Sequence, residues 1–174
     1  MEKWRDNIVV MIYVKQEIMK LDVNKIWPHH FPEVAATEKE INKAESYLGF
    51  KLDSYYREFL KAANGWKGFY QTVDLFGTNE FCGMPIMEHA TSMLSAVEDN
   101  VIKSIGFSRE ELIPIAATDL DKDLFVMSRP SSHEPGVVIW LAGEEVERYK
   151  NFEEYFLAMI DYNRLMIKLM QDKS

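Results

Sequence analysis

Three groups of residues in this chain have the side-chain types from which metal and catalytic sites are built. Asp119, Asp121 and Asp123 stand at i, i+2 and i+4, the spacing that opens a calcium-binding loop. Leu124 occupies the place of the turn glycine such a loop needs, and Pro130 the place of its closing bidentate glutamate. The segment therefore reads as a solvated acidic turn. His29, His30, His89, His133 and Cys82 are the candidate ligands for a transition metal. Adjacent histidines rarely converge on one ion, and no Cys-x-x-Cys or His-x-x-x-His spacing occurs. Ser131-Ser132-His133-Glu134 has the residue types of a nucleophilic triad, but consecutive side chains cannot take up triad geometry. There is no Gly-x-Ser-x-Gly elbow, Walker loop or dinucleotide fingerprint, and Cys82 has no histidine at a recognisable spacing. The residues predict no catalytic centre, no metal and no cofactor. The expectation is a protein that acts by binding.

Charge suggests what it binds. The formal net charge is −8 over 174 residues, which argues against a nucleic-acid partner and agrees in sign with a basic protein. Between Lys67 and Lys103 there is no Lys or Arg, while Asp74, Glu80, Glu88, Glu98 and Asp99 are present. Interleaved aromatics include Phe69, Tyr70, Phe76 and Phe81. An acidic surface with aromatic anchors suits capture of a basic partner, because charge steers the encounter and aromatics hold the contact. The five acids, with Trp66 and Phe81 as anchors, are the expected interface. The competing reading makes the aromatics core and the acids a scattered solvated face. One cysteine fits a reducing compartment, and the apolar run Ile8–Val14 is far too short to span a bilayer. A soluble cytoplasmic protein with no membrane contact is expected, as a monomer or weak homodimer.

The elements that must position these residues are written in the periodicity. Thr37 with Glu40 three residues on forms a capping box, and Ile41, Ala44 and Leu48 fall on one helical face before a stop at Gly49. Asp53 can cap a second helix carrying Tyr55, Tyr56, Phe59, Leu60 and Ala63, ended by Asn64-Gly65. Before this pair, Met1–Leu21 reads as a helix with Trp4, Ile8, Met11, Ile12 and Met19 near one stripe, followed by the proline-punctuated loop Asp22–Ala35. After it, a strand is expected over Phe69–Phe76, a loop over Gly77–Gly83, and a helix over Glu88–Lys103 stopped by Gly106. Ser108 and Glu111 mark a second capping box. The last third reads as strands at Leu112–Ala116, Leu124–Ser128, Gly136–Leu141 and Glu145–Tyr149, with Pro114 placing the first near an edge. Asn151 and Glu154 then open a long helix with Phe152, Phe156, Met159, Ile160, Met166 and Met170 on its buried stripe.

This order predicts one α+β domain. Its mostly antiparallel or mixed sheet of about 4–6 strands is flanked by N-terminal helices, a middle helix and a long C-terminal helix. Residues 1–35 form a helical arm and loop packed on a domain spanning 36–174.

The acid-rich first helix, Leu48-Gly49-Phe50-Lys51-Leu52, Tyr56-Arg57-Glu58-Phe59-Leu60 and Asn64-Gly65-Trp66 together resemble the signature of the SUKH superfamily. The resemblance covers about residues 34–161; where the usual pattern opens the second helix with proline, this chain has Asp53-Ser54. It implies a bacterial immunity protein, an antitoxin that occludes the basic toxin domain of a secreted polymorphic or contact-dependent toxin, often a nuclease. The alternative it implies is a non-catalytic scaffold, similar to the fungal cell-wall synthesis regulator, that docks biosynthetic or signalling proteins. A short chain without long flanks favours the first.

Overall fold

The computed structural model describes residues 2–173. The Thr37–Glu40 box is formed in both directions: Glu40 N–H donates to Thr37 Oγ1 at 3.2 Å, and Thr37 N–H donates to the Glu40 carboxylate at 2.7 Å. It opens helix α2 (Glu38–Leu48), which Gly49 ends at φ +80°, a conformation costly for any residue with a Cβ. The Asp53 carboxylate accepts from Tyr55 and Tyr56 N–H and starts α3 (Ser54–Leu60). The helix expected over Met1–Leu21 is α1 (Glu2–Leu21), with Met1 outside the described residues.

Six strands follow: β1 (Trp66–Tyr70), β2 (Val73–Leu75), β3 (Leu112–Ala117), β4 (Leu124–Ser128), β5 (Val138–Leu141) and β6 (Glu145–Tyr149). They form one antiparallel meander in sequence order. Between β2 and β3 lie α4 (Thr78–Phe81), α5 (Pro85–Ala96) and α6 (Asp99–Ile105), and the chain closes on α7 (Phe152–Asp172). Asn151 Oδ1 caps α7 through Glu154 N–H at 2.9 Å.

Helices cover both faces of the sheet. Strand alternation in β4 and β5 turns Phe125 and Trp140 toward α7, where their rings meet Tyr155 and Tyr162 at centroid distances of 5.1 and 5.3 Å. The neighbouring Leu124 and Leu141 face α5 instead, beside Met93 and Val97. Burial on both faces explains why β3, β4 and β5 read as unbroken apolar runs rather than alternating ones. Edge strand β6 carries Glu145, Glu147 and Arg148 among its five residues, and such charges discourage pairing with another chain. Helix α1 lies alongside α7, and Trp4 packs on Phe59, Phe152 and Phe156 at 5.4–5.5 Å.

Several local expectations need correction. The strand expected over Phe69–Phe76 is the hairpin β1–β2, because Gln71 at φ +51° turns the chain back. The loop expected at Gly77–Gly83 contains α4. The single helix over Glu88–Lys103 is two, bent at Val97-Glu98, where Arg109 donates to the carbonyls of Leu94 and Val97 and to Asp99 Oδ1. Pro114 lies in an interior strand, yet β2 pairs only with Ala116 and Ala117, so the missing N–H falls where β3 has lost that neighbour and its register to β4 shifts. On α1, Met19 is exposed, and Ile18 and Val14 take the buried positions.

Candidate functional site

The residues that carry the resemblance form a closed internal network. Glu45, buried on α2, accepts from Arg57 Nε at 2.9 Å, Lys51 Nζ at 2.7 Å and Leu52 N–H at 3.0 Å. Burial alone would raise its carboxyl, but Lys51, Arg57 and the Leu52 N–H outweigh it and hold the group below the usual carboxylate range. Asn64 donates to Thr78 Oγ1 and accepts from Thr78 N–H, both at 2.8 Å, so it ties the exit of α3 to the start of α4. Gly65 sits at φ +90° with its Cα against the Leu75–Gly77 backbone, where a Cβ would lie 2.7 Å from Gly77 N. Trp66 Nε1 donates to the His30 carbonyl at 2.9 Å and fastens the Asp22–Ala35 loop to β1. That loop is held from its other end by buried Asp22, which accepts from Ile26 and Trp27 N–H and lies 2.7 Å from His29 Nε2. Both adjacent histidines therefore serve the loop.

The seven residues expected to form the interface do not share one surface. Trp66 and Phe81 are 1% and 0% exposed and belong to the core, so neither offers an anchor to a partner. Asp74 accepts from Gly68 N–H at 2.7 Å inside the β1–β2 hairpin; burial, with Asp119 near, pushes its carboxyl up. Glu80 caps α4 through Gly77 N–H at 2.7 Å. Asp99 pairs with Arg109 at 2.8 Å and steadies the α5–α6 bend. Glu88 is exposed in the first turn of α5, at the other end of that helix from the groove described next. Glu98 borders a concave, partly apolar surface, and Glu80 lines another, with Val34, Lys67 and Met84.

The surface at Glu98 is a groove of about 360 Å³ between the end of α5 and the β3–β4 and β5–β6 turns. Met93, Val97, Leu124 and Leu141 line it, with Glu98, Asp121 and Lys122 among its polar members. Asp119 and Glu144 stand exposed in the two adjoining turns, and Leu120 projects at 76% exposure from the hairpin tip. Asp123 turns inward, accepting from Trp140 Nε1 at 2.7 Å; burial and then Asp121 push its carboxyl up. The triple-aspartate segment is thus divided: Asp123 locks the hairpin to β5, and Asp121 and Asp119 are left in solvent. An apolar floor with an acidic border and one lysine can hold an aliphatic or aromatic side chain and attract the basic groups around it.

Sequence reading missed this groove because its parts come from residues 93–98, 121–124 and 141–143, which only the folded meander brings together. The Ser131–Glu134 segment is a polar loop in which His133 Nδ1 lies 3.3 Å from Glu111 Oε1. Among the described residues no helix is long and apolar enough to cross a membrane.

A comparison with curated proteins gave no match. The family model described as SMI1 / KNR4 family (SUKH-1) matches residues 35–158, from the start of the α2 capping box into the first half of α7. With most of its length matched, and with every part of the signature occupied in the fold, this chain belongs to the SMI1 / KNR4 (SUKH-1) family.

Proposed function

We propose that this protein is a cytoplasmic immunity protein that binds and occludes a basic toxin domain, a nuclease in the reading we favour. Membership of the family supports the class. The observation that carries the mechanism is the acid-bordered groove beside Leu124 and Leu141, which lies outside the internal network of the signature. Nuclease active sites carry clustered Lys and Arg to hold phosphate. Docking them against Glu98, Asp119, Asp121 and Glu144 covers the toxin's phosphate-binding surface and excludes its substrate. The apolar floor gives the complex its lifetime by burying a side chain of the toxin, and long-range charge sets the rate of encounter. No bond is made or broken; neutralisation is stoichiometric.

The test is co-expression with the C-terminal domain of a secreted toxin encoded directly beside this gene. Wild-type protein is expected to restore growth and to co-purify with that domain at one to one. The Glu98→Arg/Asp121→Arg double variant is expected to remain folded and to lose protection. Absence of both rescue and complex formation by the wild-type chain would remove the immunity reading.

A further inference from the structure

The exposed large apolar side chains concentrate outside the family-matched segment: Val9, Val10 and Tyr13 on α1, Val23 and Ile26 after it, and Leu169 on α7. On α1 this exposure has a pattern. Arg5, Val9, Tyr13 and Glu17 follow one another at i, i+4, i+8 and i+12 along the solvent face, opposite the buried row of Trp4, Ile8, Met11 and Ile18. Tyr13 is 66% exposed and Val9 42%. Valine is a poor helix former, so local propensity does not account for Val9 and Val10 on a solvated helix face.

The row is complementary to itself in reverse. When a second copy of α1 is laid antiparallel about a twofold axis at the level of Met11, Arg5 meets the second copy's Glu17 and Val9 meets its Tyr13. The axis then repeats both contacts, as a closed isologous interface requires. Rows of i, i+4 residues on two helices run side by side at a crossing angle of about −50°, the commonest packing class. A parallel arrangement would set Arg5 on Arg5 and Glu17 on Glu17. We propose that α1 is a homodimerisation helix, pairing antiparallel with a second copy of this chain through Arg5, Val9, Tyr13 and Glu17. The row spans about 18 Å at 1.5 Å per residue. Its interface therefore falls below the roughly 1,200 Å² of standard stable complexes, and a dimer of micromolar strength is expected. Because α1 packs on the α7 side of the sheet and the groove lies on the α5 side, both copies keep their grooves open. The proposal does not depend on the immunity reading.

Sedimentation equilibrium of the full chain from about 1 µM to 500 µM tests it. Wild type is expected to pass from monomer to dimer across this range. Arg5→Glu alone and Glu17→Arg alone each set like charges at both ends of the pair, and each is expected to weaken the dimer by about tenfold or more. An equimolar mixture of the two single variants restores opposite charges at both ends and is expected to form a heterodimer of wild-type strength. The double variant Arg5→Glu/Glu17→Arg restores the homodimer. A wild-type chain that stays monomeric throughout overturns the proposal. So does a dimer indifferent to the single reversals, or a mixture that fails to recover association. Circular dichroism of each variant separates loss of pairing from loss of fold.

Discussion

The helix pair around Glu45 and the groove beside Leu124 both use carboxylates, in opposite ways. In the helix pair the acid is buried, three donors occupy its oxygens, and the charge is spent within the fold. At the groove Glu98 and Asp121 stand at the border of an apolar floor, with Asp119 and Glu144 exposed in the adjoining turns, and their field is directed outward. A buried carboxylate that loses a partner destabilises the protein strongly, whereas an exposed one that is removed leaves stability nearly unchanged. The comparison teaches that the residues by which the family is identified are those that hold the helices together. In the immunity reading proposed above, partner choice falls to the exposed turn residues beside the groove.

Substitutions can break or sharpen this contrast, beginning with the largest effect. Phe59→Ala removes a fully buried ring that meets Trp4, Tyr56, Phe152 and Phe156, and is expected to cost about 3–5 kcal/mol in urea denaturation. Arg57→Met leaves Glu45 with Lys51 and one backbone N–H, and is expected to cost about 2–4 kcal/mol at neutral pH. The sign of its pH dependence follows from the lowered Glu45 carboxyl. The stabilisation is fully present above the ordinary carboxylate range and is lost as pH falls through the depressed folded value. The gap between wild type and Arg57→Met should therefore narrow below about pH 4. Gly65→Ala forces a Cβ into the Gly77 backbone at positive φ, for about 2–3 kcal/mol. Glu98→Arg/Asp121→Arg should shift stability by no more than about 0.5 kcal/mol in the same assay. A large destabilisation by the last pair would erase the distinction between the two regions.

Much of the helix pair was legible in the sequence because its determinants are local. A capping box, an N-cap aspartate and a positive-φ glycine act within four residues of each other, so Thr37, Asp53 and Gly49 announce their elements. Strands β3 to β6 and their turns were legible for a related reason; β1 and β2 were read as one strand because their turn residues Gln71-Thr72 carry no Gly, Pro or Asn signal. The bend at Val97 was hidden because the residue that stabilises it, Arg109, lies twelve positions away. The expected interface misled for a physical reason as well. A stretch free of Lys and Arg is a property of sequence order, and folding sends Trp66 and Phe81 inward and commits Asp74 and Glu80 to backbone N–H groups. Glu45 gave no signal at all, since nothing local distinguishes a buried glutamate from the solvated ones beside it on an acid-rich helix.

The most direct measurement of the central claim is the association rate of the wild-type chain and of Glu98→Arg/Asp121→Arg with the toxin domain proposed as its partner, followed by stopped flow from low salt to about 0.5 M. Steering by the groove predicts a wild-type rate that falls at least about tenfold over this range. It also predicts a double-variant rate that starts near the high-salt wild-type value and changes little. Equal rates for the two proteins, or a wild-type rate indifferent to salt, would contradict the assignment of the groove as the docking surface.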